Sequence, residues 1–271
     1  MSDPQAATAG PGPQVRAVIA LSMQQLVRSR RTLIFALLGL VPPALSVLFA
    51  VVRRIPRFHV NAAGFDFFSQ VMFTFYVQFL LVLVALFYGT ALIQSEVEDR
   101  TLTYLLVRPI PRRLLVLGKY LTYLIVAAAI LLPSVGLTFT ILELSDGASG
   151  FGRHLPYLAW DVGVLALGAM AYGALFAFLG AALKRPVMIG LFFVVVWEWL
   201  VTYVPGRFGK LTILHYLISI FPHSTVQRGI QTLLGSPTSR PHAVAVLLGI
   251  ALAFLVLTME LFRRREYVLE Q

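Results

Sequence analysis

The sequence predicts an all-α integral membrane protein. The predicted parts are six transmembrane helices, an N-terminal interfacial helix, a cytosolic amphipathic helix and short outer helices before the last span. The 271 residues are 58% hydrophobic and only 13% charged, whereas a soluble domain carries about 25% charged residues. Six apolar stretches are each long enough to cross a bilayer, and Lys and Arg cluster at their ends. This charge placement explains most of the net charge of +10 without a nucleic-acid partner.

The chain begins with a segment of low complexity. Residues 1–13 are rich in Ala, Pro and Gly, which predicts a disordered N-terminus. The remainder, residues 14–271, is predicted to form a single transmembrane domain. Gln14–Arg28 has helical periodicity but is too short and too polar to span. It is predicted to be an interfacial helix, and the alternative is a cytosolic extension of the first span.

The six apolar stretches have lengths within or near the roughly 17–25 residues that a membrane-spanning helix needs. They are Thr32–Val52, Phe68–Ile93, Tyr120–Leu142, Ala159–Leu183, Val187–Val204 and His242–Phe262. The pair Pro42-Pro43 lies inside the first of them. Because proline removes a backbone donor, this span is predicted to be kinked or broken.

The second half of the chain contains glycines and prolines that indicate close packing and helix ends. Four glycines in the fourth span predict close helix packing, namely Gly163, Gly168, Gly173 and Gly180. The short connection Lys184-Arg185-Pro186 predicts a tight hairpin between the fourth and fifth spans. Leu211–Phe221 and Thr225–Leu234 have helical character and are separated at Pro222. They are predicted to be two short outer or re-entrant helices, covered where necessary by protein or water.

The distribution of positive charge predicts the orientation. Six spans place both termini on one side, and with the termini in the cytosol that side carries 14 of the 22 Lys and Arg residues. The positive-inside rule therefore favours cytosolic termini. Three arginines after the first span, Arg53, Arg54 and Arg57, argue weakly against this orientation.

The connection between the second and third spans, Gln94–Lys119, differs from its apolar surroundings. Ser95 followed by Glu98 fits a capping box, in which a hydroxyl and a carboxylate satisfy free amides at a helix start. Glu96, Glu98 and Asp99 would then lie in a first turn, where the helix dipole favours negative charge. The pattern predicts that a new helix begins here.

The rest of this connection completes an amphipathic pattern. The apolar face of the predicted helix consists of Val97, Leu102, Leu105 and Leu106. Pro109 and Pro111 would end the helix, while Arg112, Arg113 and Lys119 suit lipid headgroups before the third span. The result would be a short helix parallel to the membrane on its cytosolic face. The alternative is a solvated loop with ordinary basic anchors.

This pattern resembles the ABC-2 membrane proteins, the permease subunits of type-2 ABC exporters. The family shows glutamates, Gly-Thr-Leu, paired leucines, a proline, a basic residue and Gly-Lys at the next span. The corresponding residues here are Glu96, Glu98, Thr101-Leu102, Leu105-Leu106, Pro109, Arg112-Arg113 and Gly118-Lys119. Arg100 stands where the family commonly has glycine. The layout also resembles the branch that contains the permease linked to nitrous-oxide-reductase maturation.

The resemblance implies a function for the connection. Glu96–Arg108 would be the coupling helix, which sits in a cleft of an ATPase subunit and transmits its movement to the spans. The residues implied in ATPase coupling are Glu96, Glu98, Asp99, Thr101, Leu102, Leu105, Leu106, Pro109 and Arg112. The outer segment from Phe221 through Leu234 is also similar to the family's segment before the last span.

The implied partners follow from the same resemblance. The chain lacks the G-x-x-x-x-G-K-[ST] motif, so ATP and Mg would be bound by a separate ABC ATPase subunit and no cofactor by this chain. A six-span subunit offers half of a pathway, so a homodimer of permeases is implied. The expected location is the inner (plasma) membrane, multi-pass, with both termini cytoplasmic and no nucleic-acid partner. Transport would proceed by alternating access in the export direction.

Ionisable groups inside or beside the spans are the second set of candidates. Glu198 lies in the fifth span between two tryptophans and Gln78 lies in the second. Both are candidate pathway residues, although the tryptophans also suit a position of Glu198 near outer headgroups. The acids at outer ends are predicted to be solvated, namely Glu143, Asp146 and Asp161. Glu260 is predicted to pair with the cluster Arg263–Arg265.

Other kinds of chemistry find little support. Cysteine is absent, which excludes disulfides and thiolate catalysis. The histidines, His59, His154, His215, His223 and His242, fall on the predicted outer side without H-x-x-x-H or H-E-x-x-H spacing, so no metal site is predicted. No nucleophile elbow or Ser-His-Asp signature appears. The alternative to a permease is a membrane-embedded scaffold or assembly factor, and an intramembrane enzyme is the weakest interpretation.

Overall fold

The computed structural model describes Met23 and residues 29–55, 63–98, 112–147, 150–201, 208–223 and 238–264. All regular secondary structure in this part of the chain is helical. The α-helices are α1 (Arg30–Gly39), α2 (Val41–Arg53), α3 (Gly64–Val71), α4 (Leu81–Glu98), α5 (Arg112–Ser145), α6 (Phe151–Ala182), α7 (Pro186–Phe192), α8 (Ile213–Ile220) and α9 (Arg240–Arg264). Two π-helical segments, Met72–Leu80 and Phe193–Val201, continue α3 into α4 and extend α7. A 3₁₀ turn, Phe208–Leu211, precedes α8.

Five of the predicted spans are confirmed as helices long and apolar enough to cross a membrane. In the described part of the chain these helices are Arg30–Arg53, Gly64–Leu92, Arg113–Ser145, Phe151–Ala182 and Arg240–Arg263. The predicted fifth span, Val187–Val204, is helical from Pro186 to Val201, the limit of the described residues in this segment. Its described apolar part, Pro186–Glu198, is shorter than the other five helices. The predicted hairpin is confirmed, since α6 ends at Ala182 and α7 begins at Pro186.

The first span is broken, as the proline pair predicts. α1 ends at Gly39 and α2 begins at Val41, with Leu40 between them. Pro43 has no N–H, so the carbonyl of Gly39 loses its usual partner four residues later. The Ser134 hydroxyl of α5 donates a hydrogen bond to that carbonyl. A neighbouring helix therefore satisfies the backbone group that proline frees inside the membrane.

Contacts between helix termini show which ends lie together. At one end, the Tyr88 hydroxyl donates to the Thr32 hydroxyl over 2.7 Å, and the guanidinium of Arg113 lies 4.0 Å from the Glu260 carboxylate. We call this the Arg113 end. At the other end, Arg240 lies over the Trp160 ring, 5.4 Å from its centroid. We call this the Arg240 end.

Glycines allow α6 to approach its neighbours closely, as predicted for three of the four positions. A Cβ atom on Gly180 would lie 2.5 Å from the carbonyl oxygen of Thr90. A Cβ atom on Gly168 would meet Leu81 and Leu217, and one on Gly173 would meet Tyr123. Gly163 differs, because a Cβ atom there would find nothing within 4 Å. Small residues thus permit the tight α4–α6 contact, whereas Gly163 borders open space.

The substitution Gly180→Ala is expected to destabilise the bundle by about 1–3 kcal/mol. The new methyl group would press against the backbone of Thr90, which cannot rotate away, so α4 and α6 must separate. Thermal melting of the detergent-extracted protein measures the effect. Gly163→Ala serves as the matched control and should melt at or above the wild-type temperature, because alanine favours a helix. Equal melting temperatures for the two variants would contradict this packing.

Several predicted elements lie outside the described residues. They are the disordered N-terminus at 1–13, the interfacial helix at 14–28 except Met23, the second short outer helix at 225–234, and residues 99–111 of the connection. The first of the two predicted short helices is confirmed as α8, which ends before Pro222.

Candidate functional site

The connection that is predicted to couple to an ATPase begins differently from the prediction. α4 runs without interruption from Leu81 to Glu98, so Ser95 lies inside a helix and the predicted capping box at Ser95 and Glu98 is wrong. Extending an existing helix adds one hydrogen bond per residue, whereas starting a new one requires a costly nucleus. The second span therefore continues into the acidic segment, and Glu96 and Glu98 belong to the same helix as the span.

Both helices that flank the connection continue past a contact that joins them. The Lys119 ammonium donates to the carbonyl of Leu92 over 3.0 Å. Glu98 lies six residues beyond Leu92, and Arg112 lies seven residues before Lys119. At 1.5 Å per residue, both helices run roughly 9–10 Å further. The pair Leu115-Val116 in this stretch belongs to the buried core, so α5 is still packed against its neighbours where it approaches the connection.

The described helices contain only part of the implied coupling set. Glu96 and Glu98 belong to the last turns of α4, and Arg112 is the first residue of α5. The other members lie outside the described residues, namely Asp99, Thr101, Leu102, Leu105, Leu106 and Pro109.

The C-terminal end of the last helix lies beside this connection. Arg263 donates to the Glu260 carboxylate over 2.7 Å, which confirms the predicted pairing of Glu260. The second oxygen of Glu260 faces Arg113 at 4.0 Å. These half-exposed groups form a charged surface at the Arg113 end, next to the start of α5.

Glu198 accepts three hydrogen bonds inside the bundle. Its side chain is 2% exposed, so the expected position among headgroups is wrong. One carboxylate oxygen accepts from the Ile213 amide at 3.1 Å. The other accepts from the Leu214 amide at 3.0 Å and from the Tyr172 hydroxyl at 2.8 Å. Glu198 therefore caps the N-terminus of α8, where free amides and the helix dipole favour an anion.

α8 lies antiparallel to α6. Ile220 accepts a hydrogen bond from Trp160 Nε1 over 2.7 Å at the Arg240 end, while the first turn of α8 shares Glu198 with Tyr172. Trp160 and Tyr172 are twelve residues apart, or about 18 Å along a helix. The capped end of α8 thus lies deeper in the bundle than Trp160, and α8 is a short buried helix.

His223 fixes the chain after α8. Its Nδ1 lies 2.8 Å from the Ser69 hydroxyl and its Nε2 lies 2.9 Å from Asp161. The structure thus assembles a Ser-His-Asp row that no sequence signature predicts. The Ser69 hydroxyl also bonds to the carbonyl of Phe65 over 2.8 Å. With the serine 1% exposed, this row orders backbone and does not present a nucleophile.

The acids at the Arg240 end are less solvated than predicted. Asp161 and Glu143 are 0% and 2% exposed, and Glu143 lies 2.6 Å from His154 Nδ1. Asp146 is partly exposed, pairs with Arg53 and accepts from the Gly64 amide over 2.8 Å. The prediction of solvated acids is wrong for Glu143 and Asp161, because neighbouring helices pack around them. The Asp146–Arg53 pair also gives Arg53 a local role.

Comparison with known proteins identifies the chain. Residues 16–267 match the model of the family described as ABC-2 family transporter protein. The protein belongs to the ABC-2 transporter family. It is therefore a membrane transport subunit whose ATPase is a separate chain, and it is not an enzyme by itself. No curated protein matches its sequence.

Within this ABC-2 permease, both candidate polar residues of the spans lie in π-helical segments. Gln78 is buried in Met72–Leu80 and Glu198 is buried in Phe193–Val201. π-Helical turns are rare and often occur at functional sites. Close to Gln78, the Tyr76 hydroxyl bonds to Ser134 and Thr138 of α5 at 2.7 and 2.8 Å. The second span is thus joined to α5 by hydroxyl groups.

The histidines of this permease do not assemble a metal centre in the described part of the chain, where no group of three potential ligands occurs. His215 in α8 lies 3.1 Å from the Thr238 hydroxyl. His215 is 2% exposed, so its imidazole is suited to a structural hydrogen bond.

Proposed function

We propose that this chain is one half of an ATP-driven exporter. Two copies form a path that opens alternately to the two sides of the membrane, and each copy binds a separate ABC ATPase through residues 96–112. One observation supports this proposal above others: α4 and α5 carry the acidic and basic ends of the connection roughly 9–10 Å beyond Lys119. A segment joined directly to two packed spans can transmit a partner's movement to both of them.

The proposal includes six crossings of the membrane. Pro186 begins α7 next to the Arg113 end, since α6 ends where Gly180 meets Thr90, whereas α9 begins at the Arg240 end. The chain between Pro186 and Arg240 must therefore cross once. We infer that the apolar helix Pro186–Glu198 and the short helix α8 together make the fifth crossing. The Glu198 carboxylate joins the two helices.

The proposed pathway is formed between two copies. The first span is the candidate lining element, because its break at Leu40 and its largely exposed apolar surface suit contact with another helix. The buried Gln78 of the second span is a further polar candidate. This arrangement assigns the exposed side of the first span to the second permease.

Topology reporters test the six crossings. Fusions after Arg16 and after Gln271 should both report the cytosol, and an insertion between Gly147 and Gly150 should report the outside. The Arg113 end would then be cytosolic, in accordance with its excess of Lys and Arg. Reports of opposite sides for the two termini would show that the fifth crossing does not exist.

Co-purification distinguishes an exporter subunit from a membrane-embedded scaffold. Expressed together with its neighbouring genes, the chain should form a complex with a P-loop ATPase that contains two copies of each subunit and hydrolyses ATP in liposomes. Capture of a different protein without any ATPase would instead support a membrane-embedded scaffold. Concentration of substrate on the side opposite to ATP would establish export.

A further inference from the structure

An apolar groove of about 420 Å³ opens on the surface of the bundle between α6, α8 and α9. Its lining residues are Pro156, Ala159, Trp160, Gly163, Val164, Leu167, Ile220 and Val244. From Trp160 to Leu167 the groove follows α6 for about 10 Å toward the middle of the bundle. Its volume falls in the range of small-molecule sites, roughly 300–1,000 Å³.

One rim of the groove carries a cation. Arg240 is exposed and lies 5.4 Å from the centroid of the Trp160 ring. Val244, one helical turn later on the same face of α9, lines the groove itself. Trp160 is 45% exposed, and its indole nitrogen is already bonded to the carbonyl of Ile220. Tryptophan and arginine at the end of a span are typical of the headgroup level.

We propose that this groove binds one acyl chain of an anionic phospholipid in the leaflet at the Arg240 end. The guanidinium of Arg240 pairs with the lipid phosphate, and the Trp160 ring holds that guanidinium in place. The acyl chain lies along Gly163, where a missing side chain leaves the space that the chain occupies. The occupant is a lipid because its charge matches the rim and its alkyl chain matches the lining.

The site has a structural consequence. Ile220, at the end of α8, and Trp160 both line the groove. The indole N–H of Trp160 donates a hydrogen bond to the carbonyl of Ile220. A bound lipid therefore packs against α6, α8 and α9 at once. The proposal concerns binding and is independent of whether the permease exports its substrate.

The test counts lipids that remain bound. The purified full chain is equilibrated with phosphatidylglycerol or phosphatidylcholine and analysed by native mass spectrometry. The wild type should retain one phosphatidylglycerol per chain. Arg240→Gln should reduce its preference over phosphatidylcholine about five-fold, the effect of one cation near a charged surface. Glycerol phosphate, which lacks the acyl chain, should not displace the lipid.

Gly163→Leu tests the groove directly, because a Cβ atom on Gly163 meets nothing within 4 Å and a leucine side chain would occupy part of the groove. Retention of phosphatidylglycerol should fall about ten-fold or more, since several methylenes lose their burial. Gly249→Leu is the matched control: Gly249 also borders open space on α9, and retention should stay at the wild-type level. Equal retention by the wild type and Gly163→Leu would overturn the proposal, as would equal preference of the wild type for the two lipids.

Discussion

Glu198→Leu is expected to lower the melting temperature of the detergent-extracted permease by roughly 5–10 °C, since each orphaned buried donor costs about 1–3 kcal/mol. The substitution leaves the Ile213 and Leu214 amides and the Tyr172 hydroxyl without their acceptor. Removing the buried carboxylate's own desolvation cost offsets part of this loss. We expect α8 to pack less tightly against α7 and its π-helical extension.

Two comparison variants define what this result means. Glu260→Leu also removes an acid, but its ion pairs are half-exposed, so stability should change by less than about 1 kcal/mol. Glu198→Gln keeps one oxygen acceptor and should fold. If the glutamine variant is stable but transports poorly, Glu198 also acts in the pathway. If Glu198→Leu melts like the wild type, the carboxylate does not hold α8.

Glu98→Lys is the second change with a large expected effect. Glu98 lies on α4 six residues beyond Leu92, and one charge reversal near a helix end changes stability by only about 0.3–1 kcal/mol, so the bundle should fold normally. At a docked interface, however, loss of one partner of a desolvated charge pair costs about 2–5 kcal/mol. We expect a folded, membrane-inserted permease that binds its ATPase weakly and no longer stimulates ATP hydrolysis when substrate is added.

Asp66→Lys is the matched control for this charge reversal. Asp66 is exposed in the first turn of α3 near the opposite end, where a lysine opposes the dipole at a cost of roughly 0.3–1 kcal/mol. ATPase binding should be unaffected. Asp146 is unsuitable for this purpose because it pairs with Arg53 and caps Gly64. Full ATPase binding and coupled turnover in Glu98→Lys would remove Glu98 from the docking surface.

Hydropathy and proline chemistry predicted the main features of the fold. Five long apolar helices and the break beside Pro42-Pro43 follow from local sequence, because each depends on backbone chemistry within a few residues. The capping box failed for a related reason. The motif at Ser95 competes with continuation of a helix already formed, and local spacing does not reveal which of the two is favoured.

The polar contacts were not predictable from spacing. Glu198 bonds to backbone amides 15 and 16 residues later in the chain, and backbone amides leave no mark in a sequence. His223 joins Ser69 and Asp161 across 154 and 62 residues. Such groups meet only because α3, α6 and α8 pack together. The apparent interfacial acids at the ends of apolar runs therefore proved to be buried partners.

Cross-linking tests directly whether the segment between the second and third spans docks on a separate ATPase. The natural chain has no cysteine, so a single cysteine in place of Leu102 can be cross-linked without any background. In membranes that contain the complex, Leu102→Cys should form a cross-link to the ATPase subunit whose yield changes when ATP binds, and Asp66→Cys should form none. Failure of single cysteines throughout residues 96–112 to cross-link, in a complex that still hydrolyses ATP, would contradict the account.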